Sequence, residues 1–186
     1  MKRELRILIY KILFGIYAAG MIYLLFFKDR GYFKTGDYSQ DLFYHLQYKP
    51  FLTIKGYLKV IENAYINHRN FGTPFNLRRG SSLWYGVSNF FGNIILFVPL
   101  GLFLTAIKRR FRKLKRFVPM VIVILVAIET VQLFTLRGVF DVDDIILNFF
   151  GAICGFILAI PLRHTRRRFD HRIEKNRRKK ATVKAE

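Results

Sequence analysis

The stretch FVPMVIVILVAIETVQLFTLRGVFDVDDIILNFFGAICGFILAIPL, residues 117–162, holds two apolar runs separated by one polar turn. The runs, Phe117 to Phe134 and Ile145 to Leu162, are 18 residues long each. A bilayer core about 30 Å thick needs roughly 17–25 apolar residues in a helix rising about 1.5 Å per residue. Each run therefore crosses with little room for tilt. The residues between them, including Arg137, Asp141, Asp143 and Asp144, belong in a hairpin outside the hydrocarbon.

Two more runs lie upstream, at about Val87–Ile107 and Ile7–Phe27. The first of the four carries a basic n-region (Lys2, Arg3, Arg6) and a small patch at Ala18-Ala19-Gly20. Its apolar stretch continues through Phe27, too far for a cleaved signal peptide, so it reads as an anchor. The expected fold is an all-α integral membrane protein with four transmembrane helices.

Basic residues set the expected orientation. The chain carries a formal charge of +20, with 52% apolar and 17% aromatic residues. Of its 32 Lys and Arg, 22 fall in three short segments: residues 1–11, 108–116 and the tail from Arg163. An even number of crossings puts those segments on one side. The positive-inside rule makes that side the cytoplasm, giving N-in/C-in topology. The basic blocks flank the spans closely and carry no DNA- or RNA-binding motif. Anionic headgroups explain them, and no nucleic-acid partner is expected. Cys154 lies within an apolar run, and no Cys/His spacing suggests zinc, so no metal site or cofactor is assigned.

Four regions follow: 1–27, flank and first span; 28–86, a long extracytoplasmic loop; 87–162, a core of three spans; and 163–186, a basic cytoplasmic tail. Within the loop, FLTIKGYLKVIENAYI (51–66) puts Ile54, Leu58, Ile61 and Tyr65 at helical spacing. Pro50 suits the first turn and Asn70-Phe71-Gly72 the exit. This helix either lies in the bilayer interface or packs over the span ends.

Polar residues inside the spans carry the functional signal. Glu129 lies about 18 Å along the third helix from its cytoplasmic start, and Gln132 follows on the same face. Asp144, Asn148, Gly151 and Gly155 form one stripe of the fourth span. Asn93, Phe97 and Gly101 keep a four-residue rhythm in the second, where Pro99 interrupts the backbone ladder. Asn93, Glu129, Gln132, Arg137, Asp141, Asp144 and Asn148 are thus expected at one depth, near the outer leaflet. A carboxylate in a span costs a few kcal/mol and needs a partner, and Arg137 is the nearest candidate. The plain alternative is a polar clasp that fixes helix packing. Phe97, Pro99, Gly101, Gly151 and Gly155 read as structural, with Gly151-Ala152-Ile153-Cys154-Gly155 as a small-residue packing face.

These residues resemble the VanZ-like family of small bacterial membrane proteins. The resemblance rests on Asn93-x-x-x-Phe97-x-Pro99-x-Gly101, Glu129-x-x-Gln132, and Arg137 followed by Asp141-x-x-Asp144-x-x-x-Asn148-x-x-Gly151. It covers roughly residues 40–162. Many relatives carry Asn-Leu-x-Pro-Phe in the outer loop, where this chain has Gln47-Tyr48-Lys49-Pro50-Phe51. The resemblance implies a bacterial plasma-membrane protein. The family's founding member is associated with low-level resistance to teicoplanin, a lipid-bearing glycopeptide.

Three functions compete. A non-enzymatic envelope protein would bind an amphiphile, either a lipoglycopeptide or a lipid-linked cell-wall precursor, at the outer leaflet. An intramembrane enzyme acting on lipid-linked headgroups would use Glu129 as general base, with Asp141 or Asp144 as acid or as ligand to a hard cation. It lacks an activated Ser, Cys or His nucleophile, so the balance leans away from an enzyme. A transporter of four spans would require a homo-oligomer. Membrane lipids are partners in every case.

Overall fold

The computed structural model describes residues 3–27 and 35–161. The start of the long loop and the basic tail from Arg163 lie outside the described residues. Helix α1 (Arg3–Ile22) continues into a π-helical turn, Tyr23–Phe27. A short helix α2 (Tyr38–Tyr44) and strand β1 (Leu46–Gln47) lead to α3 (Leu52–Phe71). Helix α4 (Ser82–Ile107), a 3-10 turn (Arg109–Arg112), α5 (Leu114–Phe134), strand β2 (Phe140–Asp141) and α6 (Val142–Pro161) complete the order.

Four segments are long and apolar enough to cross a membrane: Ile7–Phe27, Ser82–Ile107, Leu114–Phe134 and Val142–Pro161. The first has the bounds read from the sequence. The second begins five residues earlier than expected, because the Ser81 hydroxyl accepts the Trp84 N–H and caps the helix at that point. The third and fourth each begin three residues earlier, lengthening to 21 and 20 residues. Large apolar side chains such as Leu8, Ile12, Ile16, Ile95, Val123 and Ile157 lie exposed along these helices. Such a belt would be untenable in water and is ordinary against lipid tails.

Inside the bundle, Met21, Leu25, Phe97, Phe117, Val121, Leu125, Ala152 and Phe156 form the core. The Phe117 and Phe156 rings lie 4.7 Å apart. Between α4 and α6 there is no layer of side chains. A Cβ on Gly151 would stand 2.0 Å from the Ile94 carbonyl oxygen, and one on Gly155 would stand 2.0 Å from that of Val98. Gly101 meets the Ala152 carbonyl just as closely. The matched order, 94 with 151 and 98 with 155, makes the two helices parallel and in backbone contact. The small-residue face is therefore occupied within the chain, by α4. Pro99 cannot donate a backbone hydrogen bond, and in the turn before it Tyr17 of α1 donates its hydroxyl to the Leu96 carbonyl at 2.8 Å.

At the end of the bundle holding the 108–113 connector, Arg112 donates Nε to the Thr105 carbonyl (3.1 Å), and Phe111 is buried beside it. A guanidinium on the last carbonyls of a helix suits both the hydrogen bond and the helix dipole. The opposite end carries α3 and both strands. There β1 and β2 pair in parallel, with Leu46 opposite Phe140 and Gln47 opposite Asp141. The Phe140 N–H also donates to the His45 carbonyl (2.8 Å).

Helix α3 ends as expected, on Gly72 with φ 62, whose N–H donates to the His68 carbonyl. Its packing stripe is rotated from the one read in the sequence. Ile54 and Ile61 are half-buried with Thr53, Tyr57, Val60 and Ala64. Leu58 and Tyr65 are 48% and 57% exposed. The start also differs: Pro50 lies in the preceding turn and Leu52 is the first helical residue.

Candidate functional site

The cap position of α3 is Phe51, which lies in the left-handed region (φ 63) and has no side chain able to accept a hydrogen bond. A 20-residue helix that begins this way leaves several N–H groups without acceptors. The acceptor comes from α6. The Asp143 carboxylate receives the N–H groups of Phe51 (2.5 Å), Thr53 (2.8 Å) and Ile54 (3.0 Å). Its side chain is fully buried. An anion at a helix N-terminus also matches the dipole. Beside it, Thr53 donates its hydroxyl to Asp141 (2.7 Å), and the Asp143 N–H donates to the same carboxylate (2.8 Å).

Among the residues singled out from the sequence, two direct contacts form beside this junction. Asn93 of α4 donates Nδ2 to Asp144 of α6 (2.5 Å). Buried Glu129 of α5 accepts the Asp141 N–H at 3.3 Å. Gln132, also buried, donates Nε2 to the Leu25 carbonyl (3.2 Å). Leu25 lies in the π-helical turn, where the altered ladder frees a carbonyl for such a bond. Asn148 is buried in α6, and its carboxamide oxygen has no hydrogen-bond partner among the described residues.

Arg137 stands apart from these buried groups. It lies exposed in the α5–α6 turn, where its backbone N–H donates to the Gln132 carbonyl (3.0 Å). Among the described residues its side chain makes no ion pair with Glu129. Arg137 is exposed in the turn that closes α5, whereas Glu129 is buried within that helix. Two residues that the sequence reading left out, Asp143 and Thr53, hold the junction together.

The VanZ/LLP1 family model matches residues 14–163. The chain belongs to the VanZ/LLP1 family. It is a VanZ-like membrane protein, and the match takes in α3, three of the candidate spans in full and the first from Phe14 onward. No curated protein and no solved structure matches it.

In this VanZ-like chain the fastened helix α3 builds a groove against the start of α4. The groove encloses about 700 Å³ and is lined by Thr53, Gly56, Tyr57, Val60, Trp84 and Tyr85, with Gly86 at its floor. A second, more polar recess of about 470 Å³ shares Val60, Ser81 and Ser82 with it and adds Asn63, Asn67, Thr73 and Asn76. Thr53 links the groove to the family motif, since its hydroxyl holds Asp141. No group of three or more His, Cys, Asp or Glu able to hold a metal is present among the described residues.

Burial pushes the Asp141 carboxyl above the usual carboxylate range, and the Asp143 charge adds to this. The hydrogen bonds from Thr53 and from the Asp143 and Asp144 backbone act the other way and are outweighed. Folding thus raises this pKa. The stabilisation it gives is fully present below the ordinary carboxylate value and is lost as pH rises through the raised one. Wild type compared with Asp141→Asn should therefore gain Tm steadily as pH falls through that window. A wild-type advantage that grows with rising pH would reverse the sign.

Proposed function

We propose that this VanZ-like protein acts in the bacterial plasma membrane, at the outer leaflet, on an amphiphilic ligand held between α3 and α4. The chain adopts N-in/C-in topology in this reading, so α3 and the polar junction face the extracytoplasmic side. The observation that carries it is the groove, whose walls come from a helix pinned in place by Asp141 and Asp143. Its volume falls within the roughly 300–1,000 Å³ usual for small-molecule sites. Its composition grades from aromatic beside Trp84 to amide-rich beside Asn63 and Asn67. That gradient suits a ligand with an apolar tail and a hydrophilic head.

Asn93, Glu129, Gln132, Asp141, Asp144 and Asn148 then act mainly as the clasp that sets the groove's shape, and Arg137 lies outside it. Binding of a lipoglycopeptide, or of the lipid-linked precursor it recognises, would give teicoplanin-type resistance without any reaction. Gly56 lines the groove, and an added Cβ there meets nothing within 4 Å. Gly56→Phe should therefore fill the groove without disturbing the fold. Expressed in a glycopeptide-sensitive host, wild type should lower sensitivity to lipid-tailed glycopeptides more than to tail-less ones. Gly56→Phe should insert at normal levels and abolish the effect. A wild-type protein that leaves sensitivity unchanged removes the resistance role. Multiple turnover of labelled undecaprenyl-linked lipid by purified protein would favour the enzymatic reading instead.

A further inference from the structure

Resting on that reading, we infer that the ligand is a phosphate-linked amphiphile, with its anionic link at the junction of the two recesses. Val60, Ser81 and Ser82 line both recesses, so the junction lies there. The two residues that precede Gly80 at this point are Arg78 and Arg79, both exposed. From Lys49 to Ser81 the chain has six basic residues (Lys49, Lys55, Lys59, Arg69, Arg78 and Arg79) against one acid, Glu62. The carboxylates of the clasp do not offset this excess at the junction. Asp143 is spent on three α3 amides, and Asp141 lies at the Thr53 end of the apolar recess.

The order of chemistry along the groove matches the order along such a molecule. An acyl or isoprenoid tail lies against Tyr57, Trp84 and Tyr85. The phosphate lies within reach of Arg78 and Arg79, next to Gly80 and Ser81 in the chain, and guanidinium groups suit phosphate oxygens through directed, charge-assisted hydrogen bonds. The hydrophilic head then meets Asn63 and Asn67, four residues apart and so on one face of α3.

Trp84 is the one tryptophan of the chain and lines the apolar recess, so it reports occupancy directly. The full-length protein is placed in phosphatidylcholine nanodiscs containing a few mole per cent of chain-brominated lipid. Both lipids carry the phosphate, but in phosphatidylcholine the choline cation offsets it and repels the two arginines, so brominated phosphatidylglycerol should quench Trp84 at about one-tenth the mole fraction that brominated phosphatidylcholine needs. Arg78→Gln/Arg79→Gln should erase that preference while quenching by phosphatidylcholine persists, and added salt should weaken it. Equal quenching by both lipids in wild type and variant would overturn the anionic assignment and leave the groove reading standing. Quenching that Gly56→Phe does not reduce would overturn the groove reading itself. Loss of the preference on adding millimolar inorganic phosphate would make the site a free-anion site and overturn the amphiphile.

Discussion

Gly151→Ala and Gly155→Ala should each destabilise the protein by about 3 kcal/mol or more, at or beyond the top of the usual range for overpacking. Ordinary contact between nonbonded heavy atoms lies near 3.5 Å, whereas each new methyl would begin 2.0 Å from a carbonyl oxygen. That oxygen belongs to the α4 backbone and cannot rotate aside, so the two helices must separate by more than an ångström. Separation would also draw Asn93 from Asp144, because Asn93 directly precedes Ile94. Gly92→Ala, in α4 itself, is the control: its Cβ meets nothing within 4 Å, and helix propensity favours alanine by about 1 kcal/mol. Thermal melts of detergent-solubilised protein, followed by size exclusion, should show both packing variants well below wild type and Gly92→Ala at or above it. A Gly151→Ala protein that melts with wild type would show that α4 and α6 are not in backbone contact.

The spans were legible because length and hydropathy decide them almost without tertiary information. The close packing at Gly151 and Gly155 was legible as a small-residue face, but its partner was not, since spacing on one helix does not name the helix that fills it. The contacts of Asn93 with Asp144 and of Glu129 with the Asp141 amide fit the common depth that a helical rise supplies. Arg137, the nearest candidate partner by depth, lies exposed in the turn after α5, since depth says nothing of direction. Asp143 went unrecognised for a related reason. It stands between two motif residues, and its ligands are backbone amides 89 to 92 positions away. A signal did exist, since a helix predicted to open at Pro50-Phe51 has no Ser, Thr, Asp or Asn at its cap.

Asp143→Ala should release α3 while leaving the spans intact. Three backbone N–H groups would lose a charged acceptor, and hydrogen bonds to charged groups contribute about 1.5–3 kcal/mol each when considered singly. Water entering the vacated space replaces part of this, so a net local loss of about 3 kcal/mol is expected, roughly three times that of an ordinary cap. Phe51 magnifies the effect. A bulky residue at φ 63 costs roughly 1–2 kcal/mol, and its N–H bond to Asp143 is what holds it there. Without that bond, Phe51 relaxes to an extended conformation and the first turn of α3 unwinds. Amide exchange at Thr53 to Tyr57 should accelerate by two orders of magnitude or so, the factor that about 3 kcal/mol implies. Exchange in α5 should be unchanged, because its core around Val121 and Leu125 does not depend on α3. Asp143→Asn keeps one acceptor oxygen and should show a smaller acceleration. Since Thr53 and Tyr57 also wall the groove, the alanine variant should lose ligand quenching of Trp84 in proportion to the unwinding. Unchanged protection at Thr53 and Ile54 would mean that the helix stands without its distant cap, and the clasp would then have no part in shaping the groove.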